Sequence, residues 1–278
     1  MIFSSLKETL KVMVSKPYVF IPMLIVVLAI YVLSNLTSWT LERPLGDIML
    51  YGSELGQTDL AWTMINNYFP EILTMFLSGF VILVIGIIGI LSLASMAKGD
   101  GFVESINSAV KDWKKAFALA IFILLVATVL AVIFFIVATP LMLVPATASG
   151  IALIFDAFFM LVGALNSVPV PFLNEILPLI PIAFILSIPV AKFIFTLPAL
   201  EKSTPKKAFQ DNWEFTIGKY WKSVIFLTIT FCIYFYVSMK FIQLVFLFSD
   251  LEVLITIIGD VIIATFLWLA VSFYYHSE

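Results

Sequence analysis

An apolar run of about 19 residues, Tyr18 to Leu36, follows a lysine-bearing amphipathic segment, and the same arrangement returns twice along the chain. At ~1.5 Å per helical residue such a run crosses the ~30 Å hydrocarbon core of a bilayer. It is too long for most signal-peptide hydrophobic regions, and no convincing small-residue cleavage site follows it. Backbone in lipid must satisfy its own hydrogen bonds, so runs of this kind fold as helices. Further runs cover about 70–97, 116–139, 175–200, 223–248 and 251–273, with a tight turn at Ser249-Asp250 joining the last two. The expected fold is an all-α integral membrane protein with about six transmembrane helices. With 62% hydrophobic and 12% charged residues and a mean hydropathy of +1.13, the chain is not an ordinary water-soluble domain.

Three amphipathic segments lead into spans. In residues 1–16, Phe3, Leu6, Leu10 and Met13 share a stripe opposite Ser4, Lys7, Glu8 and Lys11. In residues 98–115, Phe102, Ile106, Ala109/Val110 and Trp113 face away from Glu104, Ser108, Lys111 and Asp112. The third, 203–222, has the strongest signals. Thr204 suits an N-cap and Pro205 a first turn. Phe209, Trp213, Thr216/Ile217 and Tyr220 recur at helical spacing, with Lys206, Lys207, Gln210, Asp211 and Glu214 opposed and Gly218 as the stop. Lys219 to Lys222 then mixes cations with amphipathic rings, the composition of the headgroup level. Two coverings for these faces stay open. One is the membrane surface, with Phe102, Trp113, Phe209, Trp213, Tyr220 and Trp221 as interfacial side chains; the other is the protein itself.

Lysine placement sets the topology. Lysines 7, 11 and 16, then 98, 111, 114 and 115, then 202, 206, 207, 219 and 222 flank the spans on one side, and the opposite loops hold only Arg43. The N-terminus and all three lead-in helices are therefore expected at the cytoplasmic face of the cell membrane. The layout is a single polytopic domain, 1–278, of three like-oriented repeats, approximately 1–97, 98–200 and 201–278. Inverted-repeat transporters are built differently. The outer connections differ: a polar loop over 37–69 with an amphipathic piece near 60–69, an apolar excursion over 140–174 rich in proline, and a minimal turn. The excursion either dips into the membrane or lies on it. Gly79, Gly86, Gly89, Ser92 and Ser95 fall largely along one side of the second run, which predicts a central place for it. Pro178, Pro181 and Pro189 predict kinks in the fourth.

Catalytic chemistry is poorly provided for. A single cysteine, Cys232, and a single histidine, His276, exclude a disulfide framework and histidine-rich metal sites. No phosphate loop, nucleophile elbow, zinc-helix motif or paired intramembrane aspartate is present, and no basic stripe suits nucleic acid. No catalytic, cofactor or metal residues are assigned. Three charged residues in apolar stretches are candidates for an intramembrane polar site. Lys240 and Asp260 each lie about ten residues from the turn at Asp250, at similar depth. A lone charge there is unfavourable by at least ~2.5 kcal/mol, which predicts a Lys240–Asp260 pair. The alternative is that Lys240 snorkels outward while Asp260 is protonated or bonded to a hydroxyl. Asp156 interrupts the excursion, where it lines a pocket or points to water.

The pattern Ala208, Phe209, Trp213, followed by Gly218, Lys219, Tyr220 and Trp221 and then a span, resembles a group of prokaryotic six-span membrane proteins, and with them the membrane domain fused to some bacterial glycerophosphodiester phosphodiesterases. The resemblance implies a membrane component and carries over no catalytic residue. The expected function is that of a non-enzymatic membrane-organising scaffold. Its collar would bind membrane lipids, a second copy of the chain or another membrane protein. The alternative is a transporter or channel for a small or lipidic solute using Asp260, Lys240 and Asp156.

Overall fold

A computed structural model describes residues 2–51, 57–125, 176, 178–201 and 203–277. The excursion with Asp156 and most of the third apolar run lie outside the described residues. Among the described residues every regular element is helical. They are α1 (Ile2–Ser15), α2 (Phe20–Tyr51), α3 (Gln57–Lys98), α4 (Phe102–Lys111), α5 (113–125), α6 (Leu179–Val190), α7 (Thr196–Leu200), α8 (Pro205–Ile217), α9 (Tyr220–Leu247) and α10 (Glu252–Ser277). Four stretches are helical, long and apolar enough to cross a membrane: Pro17–Asn35, Tyr68–Lys98, Tyr220–Leu247 and Ser249–Ser277.

The helices end where local chemistry requires. Lys16 and Lys219 leave helical dihedrals just before α2 and α9, and Asp112 does so between α4 and α5. Gly99 closes α3 at φ 107°, a left-handed conformation that needs no Cβ. Tyr68 bends α3 just ahead of Pro70, so the apolar part starts where proline removes a donor.

Two sequence expectations are corrected. The polar loop over 37–69 is helical through Tyr51 and again from Gln57. Charged residues there favour water, but Leu, Met, Glu and Arg are also good helix formers, and polarity does not by itself break a helix. The fourth apolar run is not one helix to Leu200. It stops at Val190, and residues 191–195 form tight turns before α7.

The last helix occupies the centre. Its C-terminal half is buried nearly all round, from Thr265 to Tyr274. Three clusters converge on that end of the bundle. One joins Leu6 of α1 and Phe195 to Val224, Phe226, Phe266 and Tyr274, with the Phe226 and Tyr274 rings stacked at 4.1 Å. A second joins the start of α2 to Ile90, Leu93 and Met96 of α3 and Leu269 of α10. The third joins α3, α4, α5, α7 and α8 through Leu91, Ala109, Ala116, Leu200 and Ala208. The small-residue side of α3 is used only in part. Gly89 admits Val26 of α2, whose methyl lies 2.6 Å from where a Cβ would sit, whereas no described residue comes within 4 Å of a Cβ at Gly79 or Gly86.

Candidate functional site: a collar and an intramembrane cleft

Helices α1, α4 and α8 gather at one end of the bundle. Ser5 of α1 is hydrogen-bonded to Ser277 at the end of α10 (3.3 Å), and Tyr18, leading into α2, meets Phe102 of α4 with ring centroids 5.7 Å apart. Phe209 of α8 packs on Phe122 of α5 and on Phe193. The buried residues are Ser5, Leu6 and Thr9 in α1, Ser105 and Ala109 in α4, and Ala208, Asn212 and Thr216 in α8. Several large apolar residues are exposed, Phe3, Leu10 and Val14 in α1, Val103 and Val110 in α4, Trp213 and Ile217 in α8, and Trp113 and Trp221 at the start of α5 and α9, whereas Leu6, Phe102, Ile106 and Phe215 pack on the core clusters. Thr216 is fully buried while its neighbour Ile217 is 65% exposed, which fixes the orientation of α8. Of the interfacial residues read from the sequence, Trp113, Trp213 and Trp221 are exposed, and Phe102, Phe209 and Tyr220 are half-buried against protein.

α8 is fastened to the break after α6 by a specific exchange of hydrogen bonds. In residues 188–196 the N–H of Lys192 bonds the carbonyl of Pro189 and that of Thr196 bonds Phe193, each three residues back. The carbonyls of Ile188 and Lys192 thereby lose the helical partners four residues on. Tyr220 Oη donates to the first (2.7 Å), and Asn212 Nδ2 donates to the second. The Lys192 ammonium lies 4.5 Å from the Trp213 ring centroid and 4.8 Å from that of Tyr220.

Behind the collar, a charged cluster was not foreseen. Lys98 at the end of α3 forms an ion pair with Glu201, just past α7, and His276 Nε2 of α10 lies 3.9 Å from the same carboxylate. The side chains of Lys98 and Glu201 are only 17% and 13% exposed. The three residues are far apart in sequence, and nothing in local spacing announces them.

The opposite half of the bundle holds the intramembrane candidates. Phe241 of α9 packs its ring against Gly259 of α10, where a Cβ would meet Cγ at 2.8 Å. Lys240 and Asp260, the next residue on each helix, therefore lie at one level. They take different directions. Lys240 Nζ donates to Gln243 (3.3 Å) and stands over the Tyr236 ring at 5.3 Å. Asp260 faces a cleft of about 410 Å³ between α2, α9 and α10, lined by Val27, Tyr31, Ser34, Tyr234 and Ile263 among others. The expected pair is not among the ion pairs that the described residues make. Among the described residues no cluster of three or more His, Cys, Asp or Glu could hold a metal. No known protein family matches the chain, and no curated protein or solved structure matches it.

Proposed function

We propose that the protein is a multi-pass scaffold of the cell membrane, built as three like-oriented repeats, that seats a cytoplasmic collar of three helices in the headgroup layer. One observation carries this reading: apart from Leu6, the residues that α1, α4 and α8 bury are small or polar, and large apolar residues on or just beyond each helix stay uncovered. Amphipathic helices in water do the reverse, because their large apolar residues form the core. Outward Trp and Ile beside lysines is the arrangement of helices lying in an interface. The recurrence of the pattern near residues 5, 105 and 208 supports the threefold layout, and the one-sided lysines support a cytoplasmic collar. The resemblance to the membrane domain of the fused phosphodiesterases fits a component without chemistry of its own.

The test uses the full-length protein in lipid nanodiscs with Trp213 or Trp221 as the only tryptophan. Lipids spin-labelled near the headgroup should quench either residue more strongly than lipids labelled near the chain end. Equal, negligible quenching by both would mean that water or protein covers the row. Cysteines placed at Lys7, Lys111 and Lys207 in a Cys232→Ser background should all react with an impermeant maleimide from the cytoplasmic side only.

A further inference from the structure

The Asp260 cleft has features that the collar does not explain. Asp260 is exposed to the cleft, on a helix otherwise long and apolar enough to span, and no hydrogen bond or ion pair reaches its carboxylate among the described residues. The sequence provides few cations to answer it. Between Lys115 and Lys192 there is no Lys or Arg, and between Lys16 and Lys98 there is only Arg43. Lys240, at the right level, is turned to Gln243 and Tyr236. A bare carboxylate in an apolar wall is unfavourable unless it is protonated or a cation meets it, and among the described residues none supplies that cation.

The walls say what kind of charge fits. Val27, Ile30, Ile257, Ile263 and Ala264 make most of the lining aliphatic, and a hydrated metal ion would find too few oxygens there. Tyr31 and Tyr234 add two aromatic rings, which attract an organic cation through their faces. A volume of about 410 Å³ is within the range of sites for small organic molecules. Ile30 and Tyr31 at the rim are exposed on the flank of α2, so the cleft opens sideways, toward the acyl chains of a surrounding bilayer. We propose that this cleft is a binding site for lipophilic organic cations, with the Asp260 carboxylate as counter-ion and Tyr31 and Tyr234 as aromatic walls. Such a ligand is soluble in the membrane and reaches the carboxylate without passing through water.

The experiment measures binding of radiolabelled tetraphenylphosphonium to the full-length protein in nanodiscs, against tetraphenylborate, which has the same shape and the opposite charge. Wild type should bind the phosphonium saturably and the borate only in proportion to lipid. Asp260→Asn should weaken phosphonium binding at least tenfold, while Asp260→Glu and the turn variant Asp250→Asn stay within about threefold of wild type. Ala264→Phe, which fills the cleft without touching the charge, should also abolish saturable binding. Elution position and helical signal by circular dichroism establish that each variant is folded. If wild type shows no saturable binding, or Asp260→Asn binds as wild type does, the proposal is overturned and the aspartate is a protonated residue facing lipid. The collar reading stands or falls separately, on tryptophan quenching.

Discussion

The two ends of this bundle treat charge in opposite ways. At the collar end, Glu201 holds Lys98 and lies near His276, Lys192 is flanked by two rings, and the freed carbonyls of Ile188 and Lys192 each have a side-chain donor. In the other half, Asp260 stands in a cleft with no ion pair to answer it. A charge paired within the protein belongs to its architecture. A charge left for something else to pair with makes a site. The difference also separates two kinds of substitution: at the collar, removing a charge breaks the structure, whereas at the cleft it should spare the fold and change only what the protein binds.

The largest effect is expected at Glu201. Glu201→Ala leaves Lys98 buried without its counter-ion, and breaking such a pair destabilises by about 3–5 kcal/mol. Unfolding in mixed detergent micelles measures it. Replacing both partners by apolar residues, Lys98→Met with Glu201→Leu, should recover most of the loss, because no charge is then stranded. If the single variant is as stable as wild type, the cluster is not a lock and the contrast between the two ends fails.

An intermediate effect is expected where α9 and α10 touch. Gly259→Ala puts a Cβ against the root of the Phe241 ring, which cannot swing away as a flexible chain end would. Overpacking of this kind destabilises by about 1–3 kcal/mol, and Phe241→Leu in the same chain should relieve part of it. Asn212→Ala should have a somewhat smaller effect, about 1–2 kcal/mol, by leaving the Lys192 carbonyl without its donor. The same variant should loosen α8, which amide hydrogen exchange along 205–217 would detect.

The sequence made some of this plain and hid the rest for identifiable reasons. Helical periodicity located helices α1, α4 and α8, and Gly218, Lys16-Pro17 and Ser249-Asp250 marked real interruptions. Periodicity shows which residues share a face but not which medium covers it, so the inward row of Ala208, Asn212 and Thr216 had to come from the structure. Counting residues from a turn fixes height in a hairpin but not direction around each helix. That is why Lys240 and Asp260 are level and yet turned to different neighbours. The Lys98–Glu201–His276 cluster depends on three distant segments meeting, and His276 read alone is merely a residue near the C-terminus. Lys192 sits inside an apolar run, and only the break at residues 191–195 gives it aromatic neighbours.

The smallest stability change should come from Asp260→Asn, and its smallness makes it informative. The two side chains have nearly the same size, so packing against Ile263 and Tyr234 is unaltered. No ion pair is lost, because none of the described residues makes one with Asp260. What changes is the charge, and removing an intramembrane charge lowers the free energy of the folded, inserted state or leaves it alone. The unfolding midpoint in micelles should therefore stay within about 0.5 kcal/mol of wild type or rise. Glu201→Gln, the same chemical change made at the other end, should lower it clearly. If instead Asp260→Asn destabilises as much as Glu201→Gln, the carboxylate has a protein partner after all, and the cleft belongs to the architecture rather than to a ligand.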